Sequence, residues 1–146
     1  NQPLIAEGVA LVEQALRSRR FGPYTLQAAI SAVHAEAIDA EATDWAEIVA
    51  LYDTLLQMMA SPVVDLNRAV ALAMRDGPAA GVIEIDAIME RGDLTAYYLA
   101  HSARAELCRR LGRTDEARDS YKQALALTRQ EPERRFLERR LDELAN

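Results

Sequence analysis

Two histidines, one cysteine and a scatter of carboxylates are the residues of this sequence whose types could do chemistry. His34-Ala35-Glu36 opens like the zinc motif of a nucleobase deaminase, where a histidine holds the metal and a nearby glutamate moves the proton. That motif is completed by paired cysteines, and Cys108 is the only cysteine in the chain. His34 and His101, without a cysteine cluster, make a poor zinc site. The sequence has no glycine-rich phosphate loop, no GxSxG elbow and no HExxH pair. His101 falls at an inner helical position and reads as a packing histidine held by a hydrogen bond. Cys108 reads as a small buried hydrophobe. The expectation is therefore no catalytic, cofactor-binding or metal-binding residue. The alternative is a small-molecule-sensing or hydrolytic pocket that uses His34 and Glu36.

Binding has better candidates. Trp45 and Tyr52 lie one helical face apart, and Trp and Tyr are enriched where partner proteins anchor; the same two residues would serve equally as core. Asn67 and Arg68 interrupt an otherwise apolar helix. Either Asn67 ties down a turn and Arg68 pairs with a nearby acid, or both stand on a surface that receives a ligand. Together with Tyr24, Gln27 and His34, these residues form the candidate interaction surface. The clusters Arg17, Arg19, Arg20 and Arg109, Arg110, Arg113 have no interleaved aromatics, and they read as solvated helix ends beside the negative dipole terminus.

Charge bears on the class of partner. The net charge is −6, which argues against a sequence-independent grip on nucleic acid. From Phe21 to Leu66 there are seven acids and no Lys or Arg, while the rest of the chain is nearly balanced. Such a stretch either steers a basic partner or only keeps a helical face solvated. No apolar run approaches the ~20 residues that cross a bilayer, and the start of the chain lacks the signature of a secretory signal. The single cysteine excludes an internal disulfide, so a cytoplasmic setting is expected.

The elements that must position these residues are helices. Half of the 146 residues are apolar, enough for one domain's core. Pro23, Pro62, Pro78 and Pro132 each stand where a first helical residue would be, a place that needs no N–H and favours the proline φ. Asp44 with Glu47 has capping-box spacing, Thr114 is a plausible cap, and Gly92 and Gly112 mark stops. Between these marks the apolar residues recur at three and four. The stripes are Ile5–Val9–Val12–Leu16, Leu26–Ile30–Val33–Ala37, Trp45–Ile48–Leu51–Tyr52–Leu55 and Val63–Leu66–Val70–Met74. They continue with Val82–Ile85–Ile88–Met89, Tyr97–Ala100–Leu107–Leu111, Ala117–Tyr121–Ala124–Leu125 and Phe136–Leu137–Leu141–Leu144. That pattern predicts an all-α fold of about eight helices.

Self-similarity sets the architecture. Within 95–129, Ala105, Gly112, Ala117, Tyr121 and Ala124 fall at the small and aromatic positions of a tetratricopeptide repeat. A weaker copy lies 36 residues upstream, where Arg68-Ala69 corresponds to Arg104-Ala105 and Gly81 to Ala117. The expected organisation of 1–146 is one right-handed stack of antiparallel helix pairs near 24–57, 62–91 and 95–129. A capping helix at 133–144 has one apolar stripe flanked by Arg134, Arg135, Glu138, Arg139, Arg140 and Glu143.

Several blocks, in order, carry a family likeness. They are Leu4-Ile5-Ala6-Glu7-Gly8, Gly22-Pro23-Tyr24 with Leu26-Gln27-Ala28-Ala29-Ile30 and Val33-His34-Ala35-Glu36-Ala37, and Thr43-Asp44-Trp45 with Ala50-Leu51-Tyr52-Asp53. Ser61-Pro62-Val63-Val64 with Leu66-Asn67-Arg68-Ala69-Val70, Arg104-Ala105-Glu106-Leu107 through Leu111-Gly112-Arg113, and Pro132-Glu133-Arg134-Arg135-Phe136-Leu137 complete the set. Together they resemble the tetratricopeptide-like C-terminal extension of a group of extracytoplasmic-function sigma factors. Ala60, where a proline is expected, and Val82-Ile83, in place of a leucine-rich turn, depart from it. The resemblance implies a non-catalytic regulatory or contact domain acting in transcription initiation. It implies as partners the sigma domains that would precede this one and the RNA polymerase core, with promoter DNA reached only through those domains and no membrane contact. A generic peptide-binding repeat adaptor unrelated to transcription is the alternative.

Overall fold

The computed structural model describes residues 44–145. The chain divides into two compact units, Asn1–Ala71 and Leu72–Asn146. Among the described residues there are six helices and no strand. The all-α expectation therefore holds there. The count of eight is not reached, because the two helices expected around Ile5–Leu16 and Leu26–Ala37 lie outside the described residues, as does the first half of the pair near 24–57.

In the first unit, helix α1 spans Trp45–Met58. Asp44 caps it: the carboxylate Oδ1 accepts the Glu47 N–H at 3.0 Å, and the Asp44 carbonyl accepts from Ile48. An oxygen here satisfies one of the amides that the first helical turn leaves without an internal partner. Ile48, Val49, Leu51 and Leu55 form the buried stripe. Helix α2, Pro62–Asp76, starts on the proline as expected, and the Ser61 hydroxyl accepts the Val64 N–H at 3.3 Å. The unit division falls inside α2.

The stripe predicted for α2 is rotated. Val63 is exposed, and Val70 and Met74 are only half-buried, whereas Val64, Leu66, Ala69, Ala71, Leu72 and Ala73 are buried. The reason is chemical: Asp65, Asn67, Arg68, Arg75 and Asp76 make α2 amphipathic, but its valines, leucines and alanines span more than one stripe, so spacing alone does not choose among adjacent ones. The small residues mark the closely covered side.

In the second unit, α3 is Pro78–Glu90, α4 Tyr98–Arg110, α5 Thr114–Leu127 and α6 Glu131–Ala145. Each packs on the next: α3 on α4, α4 on α5, α5 on α6. Residues 104 and 108 of α4 meet residues 120 and 116 of α5, so this pair is antiparallel. The reversal takes three residues. Arg113 N–H reaches Cys108 O at 2.9 Å, Gly112 N–H reaches Arg109 O at 3.1 Å, and Gly112 sits at φ 75°. That is a Schellman turn, which needs a left-handed residue where a Cβ would be strained. Because the turn uses Arg113 as its last member, α5 begins at once. Thr114 is thus its first helical residue rather than its cap, and no side chain caps α5.

Ala105, Ala117, Ala124 and Tyr121 are each 0% exposed, as the repeat spacing predicted, and so is Ala100 of the α4 stripe. Alanines let the two backbones approach, and the Tyr121 ring fills the remaining space. The capping helix runs one or two residues beyond 133–144 at each end, with Leu137 buried. Two of its arginines are not simply solvated. Arg134 donates to the carbonyls of Leu125 and Thr128 at 3.0 and 3.1 Å, closing the C-terminal end of α5, and Arg140 reaches α4.

The Tyr121 phenol oxygen is buried without a hydrogen bond. Burial pushes its pKa up to about 12, and nearby Glu106 adds to the rise. The hydroxyl lies beside Glu106 and Arg109 without a hydrogen bond of ordinary geometry to either, so Tyr121→Phe should change stability by no more than about 1 kcal/mol. Tyr121→Ala removes the ring and should cost about 3–5 kcal/mol. Urea denaturation checks both; a large loss in the Phe variant would show that the hydroxyl is needed.

Candidate interaction surface

The residues singled out in the sequence fall into three groups. Tyr24, Gln27 and His34 lie outside the described residues, together with Glu36. Trp45 and Tyr52 stand seven residues apart on α1, both half-buried, and burial raises the Tyr52 phenol's pKa. Asn67 is exposed on α2, and Arg68 beside it donates from Nε to Asp53 Oδ1 on α1. The acid that Arg68 was expected to find is Asp53, one residue beyond Tyr52. The α1–α2 pair thereby carries Tyr52, Asp53 and Arg68 on neighbouring turns. With two partly exposed partners, this ion pair orients the side chains more than it stabilises the fold.

His101 behaves as a packing histidine. Its Nε2 lies 2.8 Å from the Thr95 carbonyl, which can only accept, so Nε2 carries the proton. Cys108 is fully buried, and burial pushes its thiol pKa up. A buried neutral thiol is a weak nucleophile. Among the described residues no three of His, Cys, Asp and Glu stand together as a metal set. No helix among them is long and apolar enough to cross a membrane.

Arginines tie the second unit together. Arg104 on α4 donates from Nε to Asp86 on α3 at 2.6 Å and from Nη1 to Ser120 on α5 at 2.9 Å. One planar guanidinium with several fixed donors can thus pin three helices. Glu106 on α4 accepts from Arg140 of α6 and from Arg109, both at 3.0 Å. Burial works to raise the Glu106 pKa, but the donors from Arg140 and Arg109, with the Tyr121 phenol close by, outweigh it and hold it below the usual value. Arg109 was expected to be a solvated helix end, and it is half-buried in this cluster. Arg110 reaches the Met74 sulfur at 3.6 Å, and Arg113 lies 3.9 Å from Glu116.

Sequence reasoning missed a cleft of about 360 Å³ between the start of α4 and the start of α6. Tyr98, Leu99 and Ser102 line one side, and Pro132, Glu133 and Phe136 the other. Leu99 is 43% exposed there, so an apolar side chain stands open to solvent. The available signal was the run Tyr97-Tyr98-Leu99: three consecutive large residues on one helix start cannot all point inward.

Residues 100–135, covering most of α4, all of α5 and the first turn of α6, match the family model of a tetratricopeptide repeat. The chain thus contains such a repeat, overlapping the pair expected at 95–129. It is also similar to an uncharacterized protein of Rhizobium meliloti (strain 1021), with 43% identity over 145 residues. That alignment covers 99% of this chain and 34% of the relative, so the chain spans about a third of the length of the curated relative it matches. No solved structure matches.

The Glu106 cluster gives a pH-dependent expectation. A carboxyl whose folded pKa lies below its unfolded value, near 4.5, stabilises fully above that value. The contribution drains as pH falls through the folded pKa. Glu106→Gln should lower neutral stability by about 1–3 kcal/mol and flatten the decline between roughly pH 5 and 3. Thermal melts across that range check it; an unchanged acid limb would remove Glu106 from the account.

Proposed function

We propose that the chain is a non-catalytic regulatory and protein-interaction module of a bacterial sigma factor, acting in transcription initiation from the cytoplasm. The observation that supports the interaction part is the tetratricopeptide repeat at 100–135. Paired helices of this kind expose continuous side-chain surfaces and bury their few reactive groups, as His101 and Cys108 are buried here. Attribution to a sigma factor rests on the ordered blocks from Leu4-Ile5-Ala6-Glu7-Gly8 to Pro132-Glu133-Arg134-Arg135-Phe136-Leu137. A relative about three times as long as the matched stretch is compatible with a module carried on a larger protein.

In this reading residues 1–146 are one repeat module. Its partners are sigma domains carried on the same polypeptide and the RNA polymerase core, and promoter DNA is met only through those domains. Tyr24, Gln27, His34, Trp45, Tyr52, Asn67 and Arg68 supply part of the contact surface. A generic adaptor function is the competing reading, favoured by the fact that the repeat model itself names no partner class.

The test is promoter-specific transcription with the natural full-length protein and with a form lacking residues 1–146, at matched levels of each. The expected outcome is a several-fold change in output on removal, accompanied by capture of RNA polymerase or a sigma segment by the purified chain. Unchanged output with no such capture would contradict the proposal and leave the adaptor reading.

A further inference from the structure

The α4–α6 cleft has a chemical character that an unspecialised apolar groove would not have. Its walls are apolar and aromatic, from Tyr98 and Leu99 on α4 and Pro132 and Phe136 on α6. Set among them is Glu133, whose Oε2 is buried with no hydrogen-bond partner. Neighbouring arginines do not supply one: Arg134 is engaged by the carbonyls of Leu125 and Thr128, and Arg135 by Glu131. Glu133 bears on the Tyr98 phenol, whose pKa rises through burial first and then through this carboxylate. A phenol ring and a carboxylate therefore line the same cleft from different helices. A buried carboxylate oxygen without a donor is unfavourable unless something brings one.

We propose that this cleft receives a lysine or arginine side chain, flanked by an apolar residue, from a segment of a partner protein. The stem of such a side chain would lie along Leu99 and Phe136, as long basic side chains commonly do on apolar surface. The cation would complete the Glu133 carboxylate and lie beside the Tyr98 ring, a pairing aromatic rings favour. A cleft of about 360 Å³ has room for one such side chain and its apolar neighbour. Charge complementarity selects this occupant over a purely apolar helix, which would leave Glu133 sealed and unpaired, and over an acidic peptide, which would meet like charge. The inference rests on the interaction-module reading and adds the class of side chain that one surface takes.

The test uses the full chain and three probes followed by NMR: a capped Leu-Ala-Arg-Leu peptide, the same peptide with citrulline for arginine, and n-butylguanidinium. The arginine peptide is expected to shift the amides of Leu99, Ser102, Glu133 and Phe136, and to bind about tenfold or more tightly than the neutral citrulline peptide. Glu133→Gln, which keeps shape and folding, should erase that ratio. Leu99→Ala, at an exposed position, should weaken both peptides alike. Equal binding of the two peptides to the parent chain, or a ratio untouched by Glu133→Gln, would overturn the proposal. So would n-butylguanidinium binding as tightly as the peptide, which would mark a site for free small cations. If the transcription and capture experiments succeed while the two peptides bind alike, the interaction reading stands and only this cleft's chemistry falls.

Discussion

Buried alanines on α4 and α5 bring two helix backbones closer than larger side chains would allow, and the second unit is arranged around that closeness. The contacts Arg104–Ser120 and Cys108–Glu116 bracket Ala105 on one helix and Ala117 on the other, all within one antiparallel crossing. The pair buries Ala105, Ala117 and Ala124 completely. It fills with the Tyr121 ring, and it turns round in three residues only because Gly112 adopts a left-handed conformation. What remains available for function is the outside of the pair. There α4 presents Tyr98 and Leu99, and α6 presents Glu133 and Phe136.

Arginines set the register of that outside. Arg104 reaches α3 and α5, Arg134 closes the end of α5, and Arg140 links α6 to Glu106. Partly exposed ion pairs add little stability singly. Their geometric effect is larger, because a guanidinium held by two or three acceptors fixes how far one helix slides along the next. The buried apolar residues supply the driving force, and the guanidinium contacts select one arrangement among several that would bury similar area. The carboxylates near these arginines are thus committed to structure, which is why they do not form a reactive constellation. Glu133 differs from them in having an oxygen left without a donor.

Much of this was legible in the sequence. The proline starts at 62 and 78, the glycine stops at 92 and 112, the Asp44 cap and the buried set Ala105, Ala117, Tyr121 and Ala124 follow from backbone chemistry and spacing, which act locally. The rotated stripe of α2 was not legible, because Val63, Val64, Val70 and Leu72 are equally apolar and only tertiary contact distinguishes them. Thr114 looked like a cap because its type and the acids after it fit, whereas the turn before it left the cap position to Arg113. Arg134 and Arg140 read only as the charged flanks of the capping helix, because an amphipathic pattern records polarity and not partners. The cleft escaped notice for a similar reason: its walls come from helix starts more than thirty residues apart, Tyr98 and Pro132, and no local period relates them. Of the surface read from the sequence, Trp45, Tyr52, Asn67 and Arg68 lie on the α1–α2 pair, and Tyr24, Gln27 and His34 fall outside the described residues.

Small side chains at the α4–α5 crossing are what let the two helices pack closely. Measuring the unfolding free energy of Ala105→Leu, with hydrogen exchange resolved on α4 and α5, tests it most directly. The close crossing predicts a loss of about 1–3 kcal/mol from overpacking, with protection falling in both helices together. A variant as stable as the parent, with protection unchanged, would mean that the helices are not in close contact there and would contradict the account.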